Sequence, residues 1–224
     1  MDDVFTDTHS TFIARTLSQF THELNNHMAI IKESAGLIGD ILAISEGDIS
    51  SSQGQLMDIV HSIDGQVKTS TRLIGILNRF GHRMDSHCCL FNVNEALDEI
   101  LSLTARLFTT KGVKIEADLD PALPRIVNAP AILQLLCFTI LFNMQQRLSK
   151  GSLITVRTAQ LQAEGLVCIE ILTIEKFMGN CETKDTYPKH VQQVIIDRLG
   201  AIVKYNEDEW EAVITLPLSR DKGV

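Results

Sequence analysis

Residues 13 to 42 read IARTLSQFTHELNNHMAIIKESAGLIGDIL, and the fold turns on how that stretch is parsed. Apolar or small residues recur at Ile13, Leu17, Phe20, Leu24, Met28, Ile31, Ala35, Ile38 and Leu42, in steps of three and four. That spacing predicts a long amphipathic helix with one apolar seam. The polar stretch EGDISSSQGQ (46–55) interrupts the pattern, and a second series follows at Leu56, Val60, Ile63, Val67, Ser70, Ile74 and Leu77. Two long helices joined by a short loop form an antiparallel hairpin whose seam is left open to water. The expectation is therefore a homodimer, in which two hairpins close a four-helix bundle.

Composition narrows the possible roles. In 224 residues the 28 acidic side chains outnumber the 20 Lys and Arg, for a net charge of −8. That balance gives no electrostatic reason to bind nucleic acid or an anionic membrane surface. The chain has no apolar run of about 18 residues, and MDDVFTDTHS (1–10) lacks the features of a signal peptide, so a cytoplasmic, soluble protein is expected. Five cysteines, at 88, 89, 137, 168 and 181, form no CxxC pair and predict neither a disulfide framework nor a zinc knuckle. His82, His87, Cys88 and Cys89 are close in sequence but fit no standard zinc spacing.

After Met84 the texture changes. HCCLFNVNE (87–95) reads as a linker into a helix near 93–110, capped by Asn92 or Asn94. A strand VKIEADL (113–119), a turn DPALPR (120–125), a helix near 129–148 and the strands LITVRTA (153–159) and LVCIEIL (166–172) follow. A helix near 188–200 and the strands AIVKYN (201–206) and EAVITLPL (211–218) complete the pattern. The expected class is α+β: a helical hairpin over 1–88, then an α/β sandwich over 89–224 with helices on one face of a sheet.

Within the first helix, His22 is two residues from both Phe20 and Leu24, a rotation of roughly 200°, so it faces away from the seam. Around it, THELNNHMAIIKESAGLI (21–38) resembles the H-box of sensor histidine kinases, in which a phosphorylatable histidine precedes an acid and, three residues later, Thr or Asn. The resemblance covers nearly the whole chain. The hairpin resembles the dimerisation and histidine-phosphotransfer domain of that family, and residues 91–217 resemble its ATPase-type domain. FNVNEALDEILSLTARLFTTKGVKIEADLD (91–120) and VITLPL (213–218) carry the second likeness. Where the family often has Pro, five residues after the histidine, this chain has His27, which implies a straighter helix.

The family's ATP site is where the pattern departs. TILFNM (139–144) matches the N-box NLxxNA with Thr139 at the first asparagine and Asn143 at the second. TIEKF (173–177) stands for DxGxG, with Thr173 at the adenine-reading Asp and Glu175 at the first Gly. The segment that follows is short for a lid, and TYPKHVQQVI (186–195) has no GxG. The expectation is that ATP-driven autophosphorylation is lost.

What the resemblance then implies is a phosphorelay histidine phosphotransferase, passing a phosphoryl group from a receiver aspartate to His22 and on to another. Glu23 would orient the His22 ring or take its proton, and Asn26 would position water as the ExxN pattern does. Partner contacts are expected along the first helix at Ile30, Glu33, Ser34 and Leu37. An antiparallel hairpin would add Asn78, Arg79, His82 and Arg83, with Arg79 or Arg83 steadying a phosphate. No cofactor of its own is expected, the receiver supplying Mg²⁺. Two rival readings are an ExxN-type response-regulator phosphatase and a non-catalytic module that binds receivers or kinases.

Overall fold

A computed structural model describes residues 2–44, 52–85, 87–161, 163–173, 186–206 and 211–218. In chain order the elements are α1 (Asp2–Ile44), α2 (Gln53–Asp85), β1 (Cys89–Phe91), α3 (Val93–Thr110), β2 (Lys114–Leu119), β3 (Ile126–Asn128) and α4 (Pro130–Gln145). They continue with β4 (Leu153–Leu161), β5 (Leu166–Leu172), α5 (Lys189–Leu199), β6 (Ile202–Asn206) and β7 (Glu211–Pro217). The architecture is mixed α+β, with a long helical hairpin leading into a domain built on a sheet.

Five strands pair in the order β2-β4-β5-β7-β6, with β2 and β4 parallel and the other neighbours antiparallel. Alternation decides which face is covered. Ile154 and Val156 of β4, Val167, Ile169 and Ile171 of β5, and Ala212, Ile214 and Leu216 of β7 are all buried, while the intervening positions, the buried Cys168 aside, are more open. Helix α4 packs against α3 and α5 and also touches α1 and α2. It is apolar on all sides and almost entirely buried, as a helix enclosed by neighbours must be.

Local chemistry sets the ends. The Asn92 side chain accepts from the Asn94 N–H at 2.9 Å and so caps α3. Asn94 instead donates to the Asp120 carbonyl at 2.7 Å and accepts from the Thr158 hydroxyl at 2.9 Å, tying α3 to the start of the β2–β3 turn and to β4. Gly200 closes α5 in the left-handed region, φ 62°, which a side chain would disfavour.

Three differences from the sequence reading have physical causes. Helix α1 begins at Asp2, not near Ile13, because Thr8, Phe12 and Thr16 form a buried row at four-residue spacing. Strand β1 falls in the expected linker and β3 in the gap between the expected turn at 120–125 and the helix near 129; at three residues each they are too short to show a period, but they pair antiparallel, Leu90 opposite Val127. The apolar seam of α1 is split: Ile13, Phe20, Leu24, Ile31 and Ile38 are half-buried, while Leu17, Met28 and Leu42 are 42%, 45% and 48% exposed. The packed face is rotated from them by about 80–140°, through Phe12, Thr16 and His27.

The core runs across the expected boundary at residue 88. Phe12 of α1 meets Phe80 of α2 at a centroid distance of 5.7 Å and Phe138 of α4 at 5.0 Å. The Arg198 guanidinium of α5 lies 3.8 Å over the Phe5 ring. Among the described residues, no helix is long and apolar enough to cross a membrane.

Candidate functional site

On α1 the side chains of His22, Asn26, Ile30, Glu33 and Leu37 are all exposed. At 100° per residue they fall within a sector of about 80°. That sector lies opposite the outward apolar stripe, and its centre is rotated by about 40–100° from the buried Phe12, Thr16 and His27. Ile30 and Leu37 place large apolar side chains in it, 39% and 49% exposed. Ser34 lies apart from the stripe, turned toward the hairpin interior and half-buried.

The glutamate beside the histidine is held differently. Glu23 is half-buried, and its Oε1 lies 3.7 Å from Nε2 of His27, one turn further along α1. Its Oε2 lies 3.6 Å from a guanidinium nitrogen of Arg106 on α3. His27 is buried, and its Nδ1 is 3.1 Å from the Ser70 hydroxyl of α2. So the buried histidine of this segment, held by a hydrogen bond across the hairpin, is His27, while His22 stands outside. In sequence His27 was noticed only as a missing proline.

The pairing of His27 with Ser70 fixes the register of the hairpin. Phe12 meets Phe80, so His22 lies opposite α2 between Ser70 and Phe80, closer to residue 75 than to the expected 77–80. Asn78 is exposed. Arg79 and Arg83 turn to α3, where both bind Glu99. Arg83 grips that carboxylate with two nitrogens, at 2.5 and 2.9 Å, and Arg79 adds a contact at 3.3 Å. Gln134 of α4 donates to the same carboxylate at 3.0 Å. Burial works against the charge on Arg83, but Glu99 and Glu95 outweigh it and its pKa is raised. The strongest charge cluster between hairpin and sheet domain was therefore hidden in the sequence: a glutamate in the apolar row Ala96, Ile100, Leu103 was the available signal.

The region corresponding to the expected N-box is occupied by internal bonds. The Asn143 amide donates to the Tyr187 carbonyl at 2.8 Å and accepts from the Tyr187 N–H at 2.7 Å, clasping the main chain ahead of α5. Thr139 donates to the Leu136 carbonyl at 2.9 Å and accepts from Gln192 at 3.3 Å, and Tyr205 donates to Gln192 at 3.1 Å. A cleft of about 210 Å³ adjoins this chain of bonds, lined by Asn143, Arg147, Lys189, Tyr205 and Glu211 among others. From α1, the Arg15 guanidinium sits 4.4 Å over the Phe142 ring and 5.7 Å from that of Tyr187. Thr173 is buried; Glu175 and the short segment in place of a lid lie outside the described residues. Desolvation pushes the buried Cys137 thiol of α4 up to about 12, an inert packing group.

No family model and no curated protein matches this chain. Among solved structures, it is similar in fold to the catalytic domain of histidine kinase ThkA, with 11% identity over 61% of this chain and 100% of that one, TM-score 0.49. It is also similar to the Acinetobacter baumannii histidine kinase AdeS, with 15% identity over 88% and 98% of the two chains, TM-score 0.47. A third structure is ThkA in complex with the response regulator protein TrrA, at 12% identity over 95% of this chain and 64% of that chain, TM-score 0.49. These likenesses concern overall shape.

Proposed function

We propose that this chain is a histidine phosphotransfer protein of a two-component pathway, accepting a phosphoryl group on His22 from a receiver aspartate and returning it to another. The observation that carries this reading is the exposed stripe of His22, Asn26, Ile30, Glu33 and Leu37. It sets a nucleophile at one end of a mixed apolar and polar surface on the exposed side chains of α1. Such a surface can seat a folded partner against the ring.

In the forward step an unprotonated imidazole nitrogen attacks phosphorus, a P–N bond forms, and the P–O bond to the aspartate breaks to release its carboxylate. The return step reverses these changes on a second receiver. In this reading Mg²⁺ and the acidic pocket belong to the receiver. The test is label transfer: receiver domains carrying labelled phosphate are mixed with the chain, and the label is followed onto it and off again. Hydrolysis of the receiver's phosphate that persists in His22→Gln favours the phosphatase reading instead. Binding without any movement of label favours a docking module.

The reading includes loss of ATP chemistry. Asn143 has its amide engaged by the Tyr187 main chain, and Thr139 is tied to Leu136 and Gln192. A carboxamide used in this way is not available to a metal–nucleotide complex without breaking two hydrogen bonds. Calorimetric titration with Mg²⁺ and ATP is expected to show no saturable heat up to millimolar nucleotide, and γ-labelled ATP alone leaves the chain unlabelled. A micromolar dissociation constant would mean that Asn143 releases Tyr187 to bind nucleotide.

The reading also includes a homodimer. Leu17, Met28 and Leu42 of α1 and Met57, Val60, Val67 and Ile74 of α2 are exposed in the single chain. Apolar residues recurring on both arms of one hairpin are what a second hairpin would cover. Because Met28 and Val67 contribute little to packing within one chain, the double substitution Met28→Glu, Val67→Glu is expected to keep the fold. It should sediment at the 24.9 kDa chain mass, while the wild type sediments at twice that value. A wild type that is monomeric at tens of micromolar disproves the dimer.

A further inference from the structure

The bracket around Glu23 joins three helices. The Ser70 hydroxyl has one proton, and it is given to the Gln66 carbonyl at 2.8 Å. Toward His27 the hydroxyl can therefore only accept, so the His27 Nδ1 carries hydrogen and donates across 3.1 Å. That bond fixes the ring and leaves its Nε2 3.7 Å from Oε1 of Glu23, beyond hydrogen-bond distance and, with hydrogen on Nδ1, attractive to the carboxylate only when the ring is protonated at both nitrogens. The other carboxylate oxygen faces Arg106, at 3.6 Å. His27 is buried, so its ring has little freedom to turn away.

From this geometry we propose that Arg106 is a positioning residue for phosphotransfer at His22, so that α3 of the sheet domain completes the site. The inference rests on His22 being the phosphoryl acceptor. A glutamate on a bare helix surface samples several rotamers, whereas one drawn to a guanidinium of a neighbouring helix samples fewer. Glu23 is thus held next to His22 in the chain, with its carboxylate drawn toward α3. Arg106 has a second effect. A carboxylate beside the acceptor repels an incoming phosphoryl group, and a guanidinium next to that carboxylate offsets its charge.

The test uses the full chain and whichever receiver domain, charged with labelled acetyl phosphate, labels the wild type fastest. With receiver at saturation, Arg106→Met is expected to slow transfer by about tenfold, the scale of a modest misplacement of a catalytic group. The half-saturating receiver concentration stays within about twofold, and Arg106→Lys restores most of the rate. In a Glu23→Gln background, Arg106→Met gives no further loss, because Arg106 acts through Glu23. Melting temperatures of all variants separate these effects from unfolding. If Arg106→Met transfers at the wild-type rate, or shifts only the half-saturation, the positioning role is wrong while His22 remains the acceptor. If the wild type takes no label, the acceptor reading fails and this inference fails with it.

Discussion

Replacing His22 with alanine is expected to abolish labelling of the chain by phosphorylated receivers, to below about one-hundredth of the wild-type level, since the acceptor nitrogen is gone. The same variant should be as stable as the wild type. His22 is exposed on α1 and stands off the packed face. A surface substitution of that kind changes stability by about 0.5 kcal/mol or less, about 2 °C or less in melting temperature for a chain of this size. The combination of total loss of label with no loss of fold is what separates an acceptor from a structural histidine. His27 is the internal control: His27→Ala removes a buried bond to Ser70, so it should lower stability by about 1–3 kcal/mol while leaving His22 able to take label slowly. The label on the wild type should be lost in acid, as a phosphoramidate is. Undiminished labelling of His22→Ala, or a label stable to acid, sinks the assignment.

Much of the sheet domain was legible because its signals are periodic. The run LVCIEIL coincides with β5, and β4, β6, β7 and α3 to α5 begin or end within a few residues of where alternation and apolar spacing placed them. The first turns of α1 were not legible, since the buried row there is built from Thr8, Phe12 and Thr16 and a count of apolar residues passes over threonine. The second face of α1 was obscured for a related reason: Leu17, Met28 and Leu42 form a regular stripe, but regularity shows only that some apolar partner is expected, not whether it lies in the same chain. The exposure of His22 followed from its offset of two residues from Phe20 and Leu24. The surroundings of Glu23 did not, because Ser70 and Arg106 are 47 and 83 residues away in sequence and only the packing of α1 against α2 and α3 brings them close. Motif matching located Asn143 but could not show that its amide holds the Tyr187 main chain.

The largest stability effect is expected at Glu99, a residue that no motif marks. Its side chain is 1% exposed, and that of Arg83, which grips it at two points, is 13% exposed. Taking these charges out of water is costly, and mutual attraction with well-formed hydrogen bonds offsets the cost only while both partners are present. Glu99→Ala leaves the Arg83 guanidinium largely buried with only the more exposed Glu95 nearby, at 3.5 Å, and removes an acceptor from Gln134. The expected loss is about 3–5 kcal/mol, a third or more of the total stability of an ordinary domain. Arg83→Met should cost less, because Arg79 and Gln134 still face the carboxylate. Combining the two substitutions should cost less than the sum of the separate losses, since neither charge is then left buried alone. Urea unfolding gives these differences directly from the shift in midpoint at constant slope. Hydrogen exchange adds the location: the last turns of α2, which Arg79 and Arg83 fasten to α3, should lose protection before α4 does. A loss below about 1 kcal/mol for Glu99→Ala would mean that water reaches the Arg83 guanidinium and that the cluster behaves as a surface ion pair.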